Sequence, residues 1–283
     1  MKIIECPRDA MQGLEQFIET EKKVQYLNAL LKVGFDTLDF GSFVSAKAIP
    51  QMRDTADLLP HLQRGGSPSK LLAIVANVRG AEAALAWPQI DYLGFPLSIS
   101  ETFQLRNTNK TIAEAFETVK QIQQHCLAAG RTLVTYISMG FGNPYGDLYG
   151  EEVVHTFVER LAELGVAVVS LADTIGVSQP NQITPLFQQL VSKYPAIEFG
   201  AHLHSHPAKA AEKIMAAYVG GCQRFDGALM GFGGCPMAED ELVGNVATEE
   251  IIRALEGVGE NLTINKLYLG EALALSRSIF PKK

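Results

Sequence analysis

Two histidines one residue apart, His202 and His204 in AHLHSH, are the residues of this sequence most suited to chemistry. In a β-strand, residues i and i+2 point to the same face, so if AHLH ends a strand both imidazoles face one way and can share an ion. A carboxylate, Asp9 in CPRD, and an amide, Asn245 in GGCPMAEDELVGN, lie far away in sequence and supply the other donor types. Imidazole, carboxylate and amide oxygen together suit Mg²⁺ or Mn²⁺, with Zn²⁺ and Fe²⁺ as further options. A site of that kind keeps coordination positions open for a substrate, which points to an enzyme rather than a structural metal.

An HxH pair alone is more often packing than ligation, so its meaning depends on what brings the other donors to it. Eight short apolar runs alternate with helix-like segments: 2–6, 37–41, 71–77, 91–97, 132–139, 166–173, 197–204 and 222–229. Several are apolar on both faces, as parallel strands covered by helices are. Segments 15–34, 50–62, 80–87, 111–130, 151–165, 181–194, 207–221 and 248–259 carry helical spacing, four of them stopping at Gly34, Gly130, Gly165 and Gly220. Stretch 263–279 predicts a last helix. Eight βα units predict a (β/α)₈ TIM barrel spanning 1–283 as one catalytic domain, with the barrel over about 1–258 and a helical extension over about 259–283. A doubly wound open sheet is the alternative, but no GxGxxG follows the first strand. RGGSPSK predicts a surface turn and NPYGDLYG the loop after strand five.

A barrel of this type carries its chemistry at the C-terminal ends of its strands. Polar residues fall there: Arg8 and Asp9, Asp39 and Ser42, Asn77, Tyr136 and Ser138, Asp173, then His202 and His204. Strand eight runs into GFGGCP.

The bulk composition narrows the classes. The chain has 283 residues, 47% hydrophobic, with a net charge of −7 and no basic block, which argues against nucleic-acid binding. No apolar stretch approaches a membrane span, and MKIIECPRDAM lacks the layout of a signal peptide. Cys6, Cys126, Cys222 and Cys235 are scattered without CxxC spacing, so a disulfide framework is not expected and a cytoplasmic location is.

Several of these segments, in order, resemble the 3-hydroxy-3-methylglutaryl-CoA lyases of the DRE-TIM family of metal-dependent lyases and acyl transferases. PRDAMQ is similar to the family's PRDGLQ, and GSFVSAKAIPQMRD to its SFVSPK…PQM segment. LADTIGV, the HLH pair and GFGGCPMAEDELVGNVATE also have counterparts. The last block is the most specific, and the likeness runs from about residue 3 to about 270. It implies that Asp9, His202, His204 and Asn245 bind a divalent metal, Mg²⁺ or Mn²⁺. It implies that Arg8 contacts the reacting thioester carbonyl and that Cys235, in a Gly-rich loop, acts in catalysis. Asp39 falls where the family has an acidic residue, usually Glu, and Asp173 matches a family aspartate. The chain departs from the family where HxHDTxG is usual: it reads HLHSHPA, with Ser205, His206 and Ala208 in place of Asp, Thr and Gly.

The reaction implied is retro-Claisen cleavage of 3-hydroxy-3-methylglutaryl-CoA to acetoacetate and acetyl-CoA. His202 or Asp39 takes the hydroxyl proton, Arg8 stabilises the enolate oxygen, and Cys235 protonates the enolate carbon. Gln12, Ser42 and Asp173 join Arg8 as expected substrate contacts, and Lys47 has two equal readings, a partner for a CoA phosphate or a solvated surface lysine. Asp173 has an equally good reading as a turn or helix cap. A lyase for a related 3-hydroxyacyl-CoA, a condensing acyltransferase and a non-catalytic acyl-CoA-binding barrel are the alternatives. A homodimer is expected, with the apolar helix ALALSRSIF covering a partner.

Overall fold

The strand runs take their places in a closed, all-parallel barrel in which every strand pairs with the next and β8 pairs back to β1. The computed structural model describes residues 1–234 and 243–280. The strands are β1 (Lys2–Glu5), β2 (Thr37–Ser42), β3 (Lys70–Ile74), β4 (Tyr92–Ser98), β5 (Thr132–Ser138), β6 (Val168–Asp173), β7 (Glu198–Leu203) and β8 (Arg224–Gly227). Around them lie α1 (Pro7–Gln12), α2 (Thr20–Val33), α3 (Thr55–Leu58), α4 (Val78–Leu85), α5 (Glu101–Thr108), α6 (Ile112–Ala128), α7 (Glu151–Glu163), α8 (Pro180–Lys193), α9 (Pro207–Val219), α10 (Thr248–Gly257) and α11 (Lys266–Ile279).

Period-two alternation divides the core. Leu72, Ile74, Val134, Tyr136 and Val168 point inward and form one apolar cluster within the barrel. Their outward neighbours, among them Leu71, Ala73, Leu133, Ile137, Val169 and Leu171, belong to the larger core between strands and helices. The barrel interior is not apolar all round. Ser170, Gly200 and Arg224 continue the Tyr136 layer across β6, β7 and β8.

Four sequence expectations need correction. Segment 50–62 is not one helix: it divides into 3₁₀ turns at Pro50–Met52 and Leu59–His61 around α3, as the prolines at 50 and 60 dictate. The helix expected over 15–34 begins only at Thr20. The helix expected to stop at Gly220 does so: Gly220 is the C-cap of α9 with an ordinary φ of −69°, and the left-handed turn follows at Gly221, φ +92°. Gly220 is also a close-approach residue, since a Cβ there would lie 2.6 Å from Phe187 Cβ of α8. Two helices, α1 and α5, were not expected at all.

The C-terminal helix packs on its own chain. Leu269, Ala272 and Ser276 are buried, and the following Phe280 stacks on Phe232 with centroids 4.6 Å apart and meets Tyr26 edge-on. That part of the helix face is packed within the chain, while Leu267 stays exposed. Among the described residues, no helix is long and apolar enough to cross a membrane, and Cys6, Cys126 and Cys222 are free, buried thiols.

Candidate metal centre and active site

Asp9 reaches the barrel mouth because the chain turns into a helix directly after β1. Pro7 opens α1 at its first turn, where its missing N–H costs nothing, and Pro7 through Met11 are buried. His202 and His204 come from the end of β7 and share one face as their spacing requires. The segment after the Gly-rich loop returns beside them: His204 bridges Asn245 in antiparallel sense, and Ser205 N–H donates to Gly244 O at 3.1 Å.

The result is a compact donor set. Ligand atoms of Asp9, His202 and His204 all lie within 4.8 Å of one another. Asn245 Nδ2 donates to Asp9 Oδ2 at 2.5 Å and to Phe232 O at 2.9 Å, which leaves its Oδ1 as the atom to offer a cation. Gly233 makes this approach feasible. Its φ is +93°, and a Cβ there would sit 2.7 Å from Asn245 Nδ2 and 2.8 Å from Asp9 O.

Arg8 forms the second part of the site. Its Nη2 and Nε donate to Asp39 Oδ2 at 2.5 and 3.0 Å, and its Nη1 to Gln12 Oε1 at 2.8 Å and Asp9 Oδ1 at 3.1 Å. Gln12 Nε2 closes the circuit onto Asp9 Oδ1 at 2.6 Å. Asp39 is aimed at Arg8 from beside a bulge, where the β2–β3 register shifts between Asp39 and Gly41.

Electrostatics sort the protonation states. Burial raises Asp9, but Arg8 and the two imidazoles outweigh it and hold its carboxyl below the usual range. Burial, with His202 as neighbour, pulls His204 down to about 4, so it is a neutral ring. Burial lowers His202 too, yet the hydrogen bond and charge of Asp226 overcome it and leave it raised. Burial lifts Asp39 to about 6 against the pull of Arg8.

These states fit a divalent cation: a carboxylate, a neutral imidazole, a second imidazole with one nitrogen held by Asp226, and an amide oxygen. His204 Nδ1 is buried and makes no hydrogen bond within the described residues, as a ring reserved for another partner would be. A second group, Cys6, His202 and Asp226, is equally close but is a poorer ligand set. Burial pushes the Cys6 thiol far up, away from the thiolate a metal needs.

A cavity of about 200 Å³ opens onto this set. Arg8, Asp9, Gln12, Tyr136, Ser138, His202 and His204 line it, with apolar walls from Val44, Ile74 and Pro96 and with Phe103, Asn107 and Thr108 from α5. Tyr136 stands edge-on to His202 at 5.7 Å.

Of the expected substrate contacts, Arg8 and Gln12 line the cavity, whereas Ser42, Lys47 and Asp173 are not among its described lining residues. Ser42 Oγ is occupied by Ile74 O and Val44 N. Lys47 is exposed beside the mouth. Asp173 accepts from Val177 N, Ser178 N, Ser178 Oγ and Lys213 Nζ, which is the cap reading of that residue. Asn77 likewise caps α4, accepting from Gly80 N at 2.8 Å. Cys235 lies outside the described residues.

Three site features escaped the sequence. Asp226 Oδ2 lies 3.2 Å from His202 Nδ1. The only advance signal was its place two residues after Arg224 on the same strand face. Lys213 is fully buried and ties Asp173 Oδ2, Gly176 O and His204 O together at 2.8, 2.9 and 3.1 Å. Helix α5 supplies a cavity wall, and its signal was Ser100, whose side chain accepts from Phe103 N as an N-cap.

Comparison with known proteins finds relatives over nearly the whole chain. A hydroxymethylglutaryl-CoA lyase of Bacillus subtilis is 34% identical over 263 residues, covering 92% of this chain and 87% of its own. The crystal structure of the B. subtilis HMG-CoA lyase superposes with a TM-score of 0.91 at 33% identity, over 98% of this chain and 92% of that one. An HMG-CoA lyase from Acinetobacter baumannii, solved with coenzyme A and 3-methylmalate, gives a TM-score of 0.90 at 29% identity, over 98% and 90%. The HMGL-like family model matches residues 2–277, from the first strand into the last helix, and the chain belongs to that family.

Proposed function

We propose that this chain is a divalent-metal-dependent carbon–carbon lyase that cleaves 3-hydroxy-3-methylglutaryl-CoA to acetoacetate and acetyl-CoA. The observation that carries the reading is the convergence of Asp9, His202 and His204 with Arg8 in one cavity, from residues up to 196 apart in sequence. Asp9, His202, His204 and Asn245 hold the ion, Mg²⁺ or Mn²⁺. When bound, it supplies Lewis acidity that makes the tertiary hydroxyl easier to deprotonate.

Arg8 is the charge that meets the thioester. Asp39 and Gln12 fix its fork, so its orientation is set before substrate arrives and its positive charge stands ready for the enolate oxygen. Of the two bases expected, His202 lines the cavity, but with one nitrogen on the ion and the other held by Asp226 it has no free lone pair and serves as a ligand. Asp39, beside Arg8 and lifted by burial to about 6, is the carboxylate left to take the hydroxyl proton. Cys235 gives the enolate carbon its proton. The apolar walls exclude water from the carbanion-like fragment until that proton arrives.

The test is acetoacetate release from 3-hydroxy-3-methylglutaryl-CoA by purified protein, after chelation and then with Mg²⁺ or Mn²⁺ restored. Release only in the presence of metal is expected. Folded, metal-loaded protein that releases none would overturn the substrate assignment and move the search to other 3-hydroxyacyl-CoAs.

A further inference from the structure

We infer that Arg224 and Asp226, in the barrel interior beneath the histidine pair, are positioning residues for His202: Asp226 holds its Nδ1–H and Arg224 holds Asp226 as the acceptor. The inference rests on the metal reading of the Asp9–His202–His204 cluster.

The strand register brings these residues together. His202 pairs with Asp226 across β7 and β8, and Gly200, one layer below, pairs with Arg224. Residues two apart on a strand share a face, so Arg224 lies directly under Asp226 inside the barrel. Gly200 gives the guanidinium its room, because a Cβ there would sit 3.2 Å from Arg224 Cδ and 3.0 Å from Ser170 Oγ.

Charge balance then assigns the partners. Arg224 is fully buried, and a permanently charged group in such a place is costly unless an opposite charge faces it. Two carboxylates do: Glu198 Oε1 at 3.6 Å from Nη1 and Asp226 Oδ1 at 4.0 Å from Nε. Glu198 already binds Lys2 Nζ through its other oxygen at 2.5 Å, at the more exposed end of the barrel. Lys70 and Asp36 add a further cation and carboxylate to that end, so Glu198 has cations of its own there, and Arg224 is the cation that faces Asp226, as an ion pair and not a hydrogen bond. Asp226 is buried as well, and its Oδ2 is the oxygen facing His202 Nδ1 at 3.2 Å.

The consequence for His202 is a fixed tautomer and a fixed ring plane. With the proton on Nδ1 and donated to Asp226, the lone pair on Nε2 is the one offered to the cavity. Partners of this kind behind a metal-bound imidazole are worth about 10- to 100-fold in metal affinity.

The test is Mn²⁺ affinity, measured at one pH from the free-ion electron paramagnetic resonance signal, for the intact chain, Asp226→Asn, Arg224→Gln and the double variant. Asp226→Asn is expected to weaken binding about 10- to 100-fold. Arg224→Gln is expected to weaken it too, and the double variant to bind no more weakly than Asp226→Asn alone, because Arg224 acts through Asp226. An Asp226→Asn affinity within about twofold of the intact chain, or an Arg224→Gln loss that persists undiminished in the Asp226→Asn background, overturns the inference. Should Arg224→Gln not fold, imidazole ¹⁵N shifts of the metal-free protein decide the matter, with His202→Gln providing the assignment. Measured at a pH where the ring carries one proton, Nδ1 protonation in the intact chain that is lost in Asp226→Asn supports the inference, and a proton on Nε2 with Nδ1 bare ends it. Absence of Mn²⁺ binding by the intact chain would instead sink the metal reading, and the ¹⁵N result would still judge the Asp226 contact by itself.

Discussion

Replacing Glu5 with Gln separates burial from charge at a carboxyl that ties β1 to Leu229 and Thr248. Glu5 ends β1 and is completely buried. Its Oε1 accepts from Leu229 N at 2.9 Å and its Oε2 faces Thr248 Oγ1 at 2.5 Å. Burial lifts it from 4.5 to about 8, with Thr248 and Leu229 opposing the lift and Glu249 adding to it. The folded value exceeds the unfolded one, so this group's contribution to stability is full below the unfolded value and is lost as pH rises through the folded value. The window is therefore pH 4.5 to about 8. At about 1.4 kcal/mol per pH unit, the native protein loses on the order of 3 kcal/mol through this group between pH 5 and 7.5. Gln has no proton to lose, can accept from Leu229 N, and can donate to Thr248 Oγ1 in place of the protonated acid. Urea unfolding of both proteins across that range should show the Glu5→Gln advantage growing by about 3 kcal/mol as pH rises. Parallel curves would mean that Glu5 is already ionised when folded at pH 5, and the burial argument would be refuted.

Three further outcomes follow from the site. Lys213→Met removes the cation from buried Asp173 and the tether to His204 O, and should cost about 3–5 kcal/mol in urea unfolding. A loss below about 1 kcal/mol would show that the hydrogen bonds from Val177 and Ser178 suffice for Asp173. Gly233→Ala places a Cβ against Asn245 and the α1 backbone at a positive φ, so Mn²⁺ binding should weaken at least about tenfold while far-UV circular dichroism is kept; unchanged affinity would contradict the close approach. Cys235→Ala should bind metal normally and lose most turnover, and a near-normal kcat would end its assignment as proton donor.

What the sequence disclosed follows a physical division. The barrel was legible because buried parallel strands are apolar on both faces and the helices between them carry a period of their own. Helix α1 was not, since six residues give no periodicity to read. Helix α5 was not, since Phe103 and Gln104 alone are buried on it and Leu105 faces solvent, so no apolar stripe forms. His202 and His204 were legible because strand geometry alone puts them on one face. Asp9 and Asn245 needed the family likeness, for nothing local joins residues 236 apart. Asp226 and Lys213 stayed hidden for a related reason. Each sits where a core residue belongs, and its meaning lies in a partner 24 or 40 residues away.

The departure from the family's HDTxG can be judged by the same physical standard. If Ser205, His206 and Ala208 lined the cavity, the change would bear on which acyl-CoA fits. None of them is among its described lining residues. Ser205 is buried and donates to His206 O at 2.9 Å. His206 is exposed and caps α9, its Nδ1 accepting from Ala208 N at 3.3 Å. Pro207 then opens that helix at its first turn, where proline fits without losing a hydrogen bond. The altered residues thus start a helix rather than touch a ligand. A carboxylate is missing at 205, but a buried lysine enters from the same helix at 213 and binds Asp173 and the His204 carbonyl, so the backbone behind the second histidine keeps a firm support. The cavity-facing set of Arg8, Asp9, Gln12, His202 and His204 is untouched by the change, which is why the cleavage assay belongs first on 3-hydroxy-3-methylglutaryl-CoA and only then on its relatives.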